Sequence, residues 1–411
     1  MSDDLRETGP VSLRMNIVAV LIASVTLIGT PFPVADGGAR ALASTSIVHI
    51  SIVHTSIADT ASIDTAGIDT AGINTAAVAT VQAVRISPPP AGPAASPLPA
   101  DAQPVDTSHP DIVIGTGTAA SCTSQGVIDA VAHGGIITFS CGPDPVTILM
   151  SATAKVFNTS SVVVLDGGGR VTLSGAGQRR ILYMNTCDQQ QIWTTSHCQD
   201  QEQPQLTIQG LTFTQGNSTG DLVDGGGGGA VFIRGGRLKV VASTFTDNRC
   251  ESTGPDLGGG ALRVLSQSHG LPVVIASSTF GGRPDAGNSC SNGAAISSIG
   301  VSWRIYTSTF TDNSSTGNGA NPSRSGTPGG GSGGAIYLDG NQFTLDVTDS
   351  VFRGNSANEG GGAIFFVSND RTGELRITNS VLENNPSRGF ETAGFPGIFF
   401  LGVGTPQVTV P

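Results

Sequence analysis

The sequence predicts an all-β protein whose main domain is a parallel β-helix, and three observations support that fold class. A motif of small residues that runs into an apolar residue occurs five times between residues 225 and 385. Each copy is followed, 15 to 19 residues after its first glycine, by Ser, a β-branched residue and an apolar anchor. The segments in between alternate β-branched and polar residues, and none has a sustained helical period.

The five copies recur with a period of roughly 28 to 42 residues, which is typical of a solenoid. One repeat is too short to bury its own apolar side chains, so it has to stack on its neighbours. The opening motifs are Gly228–Val231, Gly259–Leu262, Gly293–Ile296, Gly333–Ile336 and Gly361–Ile364. The anchors are Phe245, Phe280, Phe310, Phe352 and Leu382.

Each repeated residue type has a predicted role in the stack. The Gly-Gly pair lets the chain turn a corner at positive φ, and the anchors point inward as a ladder. Asn follows four of the five anchors at the third position, where its amide can bond to the backbone and to the Asn above and below. After Phe280 that position is occupied by Arg283. Residues 111–401 are expected to form nine or ten coils, and Phe213, Phe245, Phe280, Phe310 and Phe352 to form one inward column.

The alternation of Gly-Gly-Ala-Ile with Phe-x-x-Asn resembles the repeat pair of the chlamydial-type polymorphic outer membrane proteins. Phe352–Asn355 and Gly361–Ile364 show both motifs in one repeat. Those proteins are right-handed parallel β-helices of the wider pectin-lyase-like group, so the resemblance implies a right-handed coil. It covers about 160 of the 411 residues and indicates fold rather than activity, because one fold hosts many functions.

The N-terminal segment has the order of a secretory signal. Arg14 precedes an apolar run over residues 17–28, and Ala41-Leu42-Ala43 provides small residues for cleavage. The run is shorter than the ~20 residues of a membrane-spanning helix. Residues 1–43 are therefore interpreted as a signal peptide, with an uncleaved N-terminal anchor as the alternative, and the protein as secreted or on the cell surface.

Residues 44–110 are predicted to be a low-complexity spacer and a Pro-rich linker. Residues 61–80 repeat every five positions and look loosely like pentapeptide repeats, which is the alternative to a spacer. The β-helix domain takes up residues 111–411, with its clearest repeats in 225–385. A short helix after Thr123 is expected to cover the open N-terminal end of the coil.

The cysteines are expected to form disulfides, since an exported chain meets an oxidising compartment. Cys250 and Cys290 both lie between the Asn-type corner of one coil and the glycines of the next, so they are expected to be neighbours. The predicted pairs are Cys122–Cys141, Cys187–Cys198 and Cys250–Cys290. Metal binding is the alternative, but the sequence has no Cys-x-x-Cys.

The amino-acid composition limits the kinds of partner that the protein is expected to bind. Net charge is −11 and only 12% of residues are charged, which argues against binding to nucleic-acid phosphates. The acidic balance permits bound Ca²⁺, although no cofactor is expected and the sequence assigns no metal ligands. We expect a monomer whose partner is an extended glycan or another cell-surface component, without a membrane span beyond an N-terminal anchor.

One candidate catalytic cluster can be constructed from the repeats. Asp247 and Asp312 each follow an anchor Phe at the second position, so they are expected in one column, two coils or ~10 Å apart. Arg283, in place of Asn on the intervening coil, would project near them. Such a cluster suits acid–base chemistry on a uronate. The alternative is that these corner residues are polar because they face water.

The sequence favours a β-helix that acts by contact, in adhesion, envelope structure or glycan binding. A long solenoid presents a regular ladder of side chains, which suits an extended partner. The rival prediction is a polysaccharide lyase or glycoside hydrolase that acts on acidic polysaccharides. The acid–base set is only partial, so the sequence leans against catalysis without deciding it.

Overall fold

A computed structural model describes residues 96–158, 160–192, 196–222 and 225–411 of the chain. The predicted signal or anchor and the five-residue repeats lie outside the described residues. The described part is a parallel β-solenoid, as the repeats predict. Its α-helix is α1 (Ser124–His133), and short 3-10 helices span Ala100–Ala102, Ala119–Ser121, Gln189–Gln191 and Ser268–Gly270.

The strands follow in chain order. They are β1 (Ile112–Ile114), β2 (Gly135–Phe139), β3 (Val146–Leu149), β4 (Ala154–Val156), β5 (Val162–Ser174), β6 (Leu182–Asn185), β7 (Gln205–Thr214), β8 (Val231–Arg234), β9 (Arg237–Val241), β10 (Thr244–Thr246), β11 (Leu262–Val264), β12 (Val273–Ala276), β13 (Thr279–Phe280), β14 (Ser289–Cys290), β15 (Ile296–Ile299), β16 (Trp303–Tyr306), β17 (Thr309–Thr311), β18 (Ser314–Ser315), β19 (Ile336–Gly340), β20 (Thr344–Thr348), β21 (Val351–Arg353), β22 (Ser356–Ala357), β23 (Ile364–Ser368), β24 (Glu374–Thr378), β25 (Val381–Glu383), β26 (Ile398–Leu401) and β27 (Gln407–Val408).

Most of these strands form three long faces in which each strand pairs in parallel with the strand of the next coil, while β14, β18 and β22 form a short separate sheet. Face A contains β1, β2, the first half of β5 and of β7, then β9, β12, β16, β20, β24 and β27. Face B contains β3, the second half of β5 and of β7, then β10, β13, β17, β21 and β25. Face C contains β4, β6, β8, β11, β15, β19, β23 and β26. Face A thus has ten successive strands, which agrees with the predicted nine or ten coils.

Backbone with positive φ turns the chain between faces A and B. Ala242, Ser277 and Thr307 have φ of 47°, 51° and 46°, one in each successive coil. The Ser of each motif follows directly, points inward and bonds to the next coil. Ser278 N donates to Ser308 Oγ at 3.1 Å, for example. The motif Ser therefore forms a buried ladder of hydroxyls at this corner.

The predicted aromatic ladder is confirmed. Phe213, Phe245, Phe280, Phe310 and Phe352 are all fully buried. Their ring centroids are 4.6–5.1 Å apart and their planes lie within 8° of parallel. Leu382 continues the column beside Phe352. Stacking at this spacing fills the interior with apolar carbon and fixes which residue of each coil faces inward.

The predicted asparagine ladder is also confirmed, with one change of member. Asn248, Asn288, Asn313, Asn355 and Asn385 occupy it. Each Nδ2 up to Asn355 donates to Oδ1 of the next Asn at 2.8–2.9 Å. Each Nδ2 also donates to the carbonyl of the anchor Phe of the preceding coil, as Asn313 does to Phe280 at 3.0 Å. Buried amides are therefore satisfied along the stack.

Four of the five opening motifs begin with two glycines, and the two glycines have different roles. Gly333 has φ of +69°, which L side chains rarely adopt. Gly334 has no positive φ, but a Cβ there would lie 2.0 Å from the carbonyl oxygen of Gly362 on the next coil. The prediction of a left-handed corner is thus correct for the first glycine. At the second glycine the requirement is close approach between coils.

The disulfides Cys122–Cys141, Cys187–Cys198 and Cys250–Cys290 are present, with Cα atoms 5.6, 4.9 and 4.8 Å apart. These are the pairs that the sequence predicts. The backbone N–H of Cys250 donates to Ser289 O at 3.1 Å, so this disulfide joins adjacent coils. The helix α1 follows Thr123, whose hydroxyl accepts from Gly126 N at 3.1 Å, and it packs against β4 and β1.

Residues 96–110 belong to the predicted linker but lie against the outer side of face A. Ala102 is fully buried there. Val105 N donates to Gln209 Oε1 at 2.9 Å, and Thr107 Oγ1 donates to Asp166 Oδ2 at 2.7 Å. The packed domain therefore begins before residue 111. Among the described residues, no helix has the length and apolar character needed to cross a membrane.

We predict that Phe310→Ala lowers the free energy of unfolding by roughly 3–5 kcal/mol, because it leaves a cavity in the middle of the ladder. Thr309→Ala is the matched control, since its half-buried side chain lies on the other side of the same strand. It should change stability by about 0.5 kcal/mol or less. Denaturant melts that coincide for the two variants would show that Phe310 is not a core residue.

We predict that non-reducing peptide mapping recovers Cys250 linked to Cys290, because their coils are adjacent in the stack. Reduction should separate the two peptides. A peptide that joins Cys250 to Cys187 would instead mean that the coils stack in a different register.

Candidate functional site

The structure places two members of the predicted catalytic cluster in one column. Asp247 and Asp312 have φ of 55° and 58° and are exposed. Each directly precedes a ladder residue, Asn248 or Asn313, and Asn288 stands between those two. The two carboxylates therefore lie two coils apart, as the sequence predicts.

The third member does not take its predicted place. Asn288, rather than Arg283, fills the ladder position of the intervening coil. Asn288 comes eight residues after Phe280, whereas the other ladder Asn residues follow their anchors by three. The interpretation of Arg283 as a replacement for Asn is therefore wrong, because an insertion separates anchor and ladder. Arg283 lies in that insertion and is exposed.

The insertion brings a different residue to this corner. Burial raises the pKa of Asp312, and the negative charge of Asp285 raises it further. Asp285 belongs to the inserted segment and has φ of 62°. The sequence pattern misses Asp285 because it has no counterpart in the other repeats. Two carboxyl groups with unlike environments can divide the roles of acid and base.

The outer side of face C is largely closed by loops. Its outward column includes Tyr183, Phe232, Arg263, Tyr337 and Phe365, all at most 6% exposed. The guanidinium of Arg263 donates to Asp256 O at 2.7 Å and to Ser297 Oγ at 2.9 Å. Burial lowers the pKa of Arg263 to about 10. This column holds the covering loops in place and offers little surface to a ligand.

A cavity of about 630 Å³ lies beside the first coils of face C. Several of its polar side chains bond to one another. Arg180 donates to Asp221 Oδ2 at 2.6 Å, and Tyr183 OH donates to Asp188 Oδ2 at 3.4 Å. Burial lowers the pKa of Arg180, and the charge of Asp221 opposes that shift. The charged groups of this cavity thus mainly bond to other groups of the protein and are less available to a ligand.

A second groove, of about 380 Å³, lies on face A, and we call it the basic groove. Its charged lining residues are Arg237, Lys239, Arg304 and Asp101. The alternation of β9 points both Arg237 and Lys239 outward, and the register pairs Lys239 with Val274 and Val274 with Arg304. Lys239 and Arg304 therefore lie in one column, two coils apart.

The rest of the lining makes the basic groove long and partly apolar. It extends from β5 to β16, which is five coils or roughly 19 Å at ~4.8 Å per coil. Val162 provides exposed apolar surface in the groove, whereas Val164 and Val274 line it but are buried. Leu271 and Pro272 line it as well, as do Asp101 and Val105 from the segment packed on face A.

The cations of the basic groove are incompletely paired. Arg304 Nη1 lies 3.2 Å from Asp101 Oδ2, and Lys239 Nζ donates to Gln103 O at 3.0 Å. Burial lowers the pKa of Lys239, and the charge of Asp101 partly opposes this. The buried Nε of Arg237 has no hydrogen-bond partner among the described residues. A buried guanidinium N–H without an acceptor favours an anionic ligand.

Sequence reasoning missed the basic groove because its parts are far apart in the chain. The only local signal is the alternation of Arg237 and Lys239 in an otherwise apolar strand. Nothing in the sequence indicates that residues 101–105 line the groove, because their Pro-rich surroundings predict a linker there. The structure brings these parts together through coil register and the packing of the segment on face A.

Residues 349–367 match the family model described as the Chlamydia polymorphic membrane protein (Chlamydia_PMP) repeat. The matched stretch contains the anchor Phe352, the ladder residue Asn355 and the motif Gly361–Ile364. The match supports the resemblance to the polymorphic membrane protein repeat on these residues. No curated protein and no solved structure matches the chain.

Proposed function

We propose that this protein is a secreted or cell-surface solenoid that binds an anionic glycan in the basic groove. The observation that carries the proposal is the cluster of Arg237, Lys239 and Arg304 in a groove that crosses five coils. The protein as a whole is acidic, with net charge −11, so this basic stretch is a local exception. Binding of this kind suits a role in adhesion or envelope structure.

The shape of the groove favours an extended ligand. A glycan chain can follow the stack for roughly 19 Å, lay its ring faces on the exposed side chains of Val162 and Leu271 and place carboxylates at the cations. Ligand sites commonly combine an apolar lining with a few placed polar groups. Groove and ligand need no cofactor for this, and the proposed complex is one protein chain with one glycan chain.

Two other observations support a location at the cell surface. The matched repeat is one of polymorphic membrane proteins. Three disulfides fit an oxidising compartment. We further infer a right-handed coil of the pectin-lyase-like kind, because connections between parallel strands are right-handed in ~98% of cases. We also infer that α1 caps the N-terminal end, where it would prevent pairing at the open edge of β4.

We predict that Arg237→Gln combined with Lys239→Gln weakens binding of tetragalacturonate more than tenfold, since hydrogen bonds to charged groups contribute about 1.5–3 kcal/mol each. Titration calorimetry at low salt measures the affinity. Arg376→Gln is the matched control, because Arg376 lies on face A outside the groove and pairs with Asp346 at 3.0 Å. Equal affinities for the wild type and the double variant would contradict the proposed site.

A second candidate function is cleavage of acidic polysaccharides, with Asp247, Arg283 and Asp312 as the proposed catalytic residues. The raised pKa of Asp312 supports it, because a higher pKa favours the protonated form that a general acid needs. Arg283 would orient a uronate. The exposure of Asp247 and Arg283 favours the alternative, in which they are solvated corner residues.

We expect no turnover of polygalacturonate or alginate by the wild type or by the triple variant Asp247→Asn, Arg283→Gln, Asp312→Asn. Release of reducing sugars and ultraviolet absorbance of unsaturated products measure hydrolysis and elimination. Turnover by the wild type that disappears in the folded triple variant would establish the enzyme and contradict a binding-only function.

A further inference from the structure

Residues 96–107 form a strap that runs lengthwise over the outer side of face A, against the direction in which the coils are added. Ser96 N donates to Asp349 Oδ2 at 2.8 Å, near the coil of β20. Thr107 bonds to Asp166 on β5. The strap therefore crosses the strands of face A from β20 back to β5.

Besides the bonds that Asp101 and Gln103 make with Arg304 and Lys239, the strap is anchored by contacts that do not involve the cations of the basic groove. Ala102 is fully buried against a small apolar cluster of Val241, Val274 and Ala276. Gln209 holds Val105 by two hydrogen bonds, from Val105 N at 2.9 Å and to Val105 O at 3.0 Å. These contacts hold the strap on face A, and none of them involves a charged group.

Asp101 is the strap residue that brings a carboxylate into the basic groove. Its ion pair with Arg304 is about half exposed on both sides, at 49% and 45% of the two side chains. Exposed ion pairs of this kind contribute little to stability. The carboxylate of Asp101 can thus leave Arg304 while Ala102 and Val105 keep the strap in place.

We propose that Asp101 is an internal competitor for the basic groove: its carboxylate occupies Arg304 when no ligand is bound, and a carboxylate of the glycan takes its place. This inference rests on the proposed function and states how binding in the basic groove is regulated. The exchange replaces one carboxylate by another at Arg304 and forms no covalent bond. The strap then sets a minimum affinity that a ligand needs in order to bind. A ligand whose single carboxylate binds Arg304 no more strongly than Asp101 does would not displace Asp101.

The geometry also explains why a neutral glycan would not be affected by the competition. A neutral sugar cannot replace the charge of Asp101, so the ion pair with Arg304 would persist beside it. Removal of the carboxylate should therefore help anionic ligands and leave neutral ligands unchanged. This difference separates competition from a general loosening of the strap.

The test compares tetragalacturonate with the neutral tetrasaccharide cellotetraose on the full chain. Asp101→Asn should raise the affinity for tetragalacturonate about two- to fivefold at low salt, which is the fold-change expected for loss of one exposed ion pair. Asp106→Asn is the matched control, because Asp106 is a strap carboxylate that bonds to Ser108 and does not line the groove. Asp101→Glu should restore the affinity of the wild type. Coincident thermal melts check that each variant folds.

The outcomes separate the inference from the proposed function. Tighter binding by Asp101→Asn, without a change in Asp106→Asn, supports competition. If the wild type binds tetragalacturonate and Asp101→Asn binds it equally or more weakly, the inference is wrong and the proposed function stands. If neither the wild type nor any variant binds tetragalacturonate, the proposed function is wrong and the inference falls with it.

Discussion

The register of coil on coil is the constraint on which the rest of this structure depends. It is held by stacked Phe rings and by a buried row of asparagine amides that bond to one another and to the backbone. A polar group left without a partner in that interior would be costly, so each coil has to bring its amide to the same place. A slip by one residue would turn the Phe ladder outward. Few alternative stackings can satisfy both rows at once.

The same register determines which side chains lie next to one another on the outer surface. Lys239, Val274 and Arg304 belong to one outward column of face A, and the same column continues into Asp346 and Arg376, which pair at 3.0 Å. The basic stretch ends at Arg304, because the next member of the column is the carboxylate of Asp346, which pairs with Arg376. Site and strap together form one unit, because the strap lines the groove that its own carboxylate enters.

The repeats predicted the solenoid, the inward Phe column and the Cys250–Cys290 pair, because these follow from residues that recur at fixed spacing. They failed at Arg283, where an insertion shifted the ladder position to Asn288 and brought Asp285 to the corner. They also missed the strap. Pro-rich sequence before residue 111 reads as a linker, and its packing depends on Ala102 and Val105 finding partners more than 100 residues away. Such long-range contacts leave no local pattern.

The most direct test of this account is a crystal structure of the full chain with tetragalacturonate bound. The account predicts that the sugar follows the basic groove, with one carboxylate at Arg304 in place of Asp101 and others near Lys239 and Arg237, while Ala102 stays buried. Sugar bound at the corner of Asp247 and Asp312, or a groove that stays empty at saturating ligand, would contradict it.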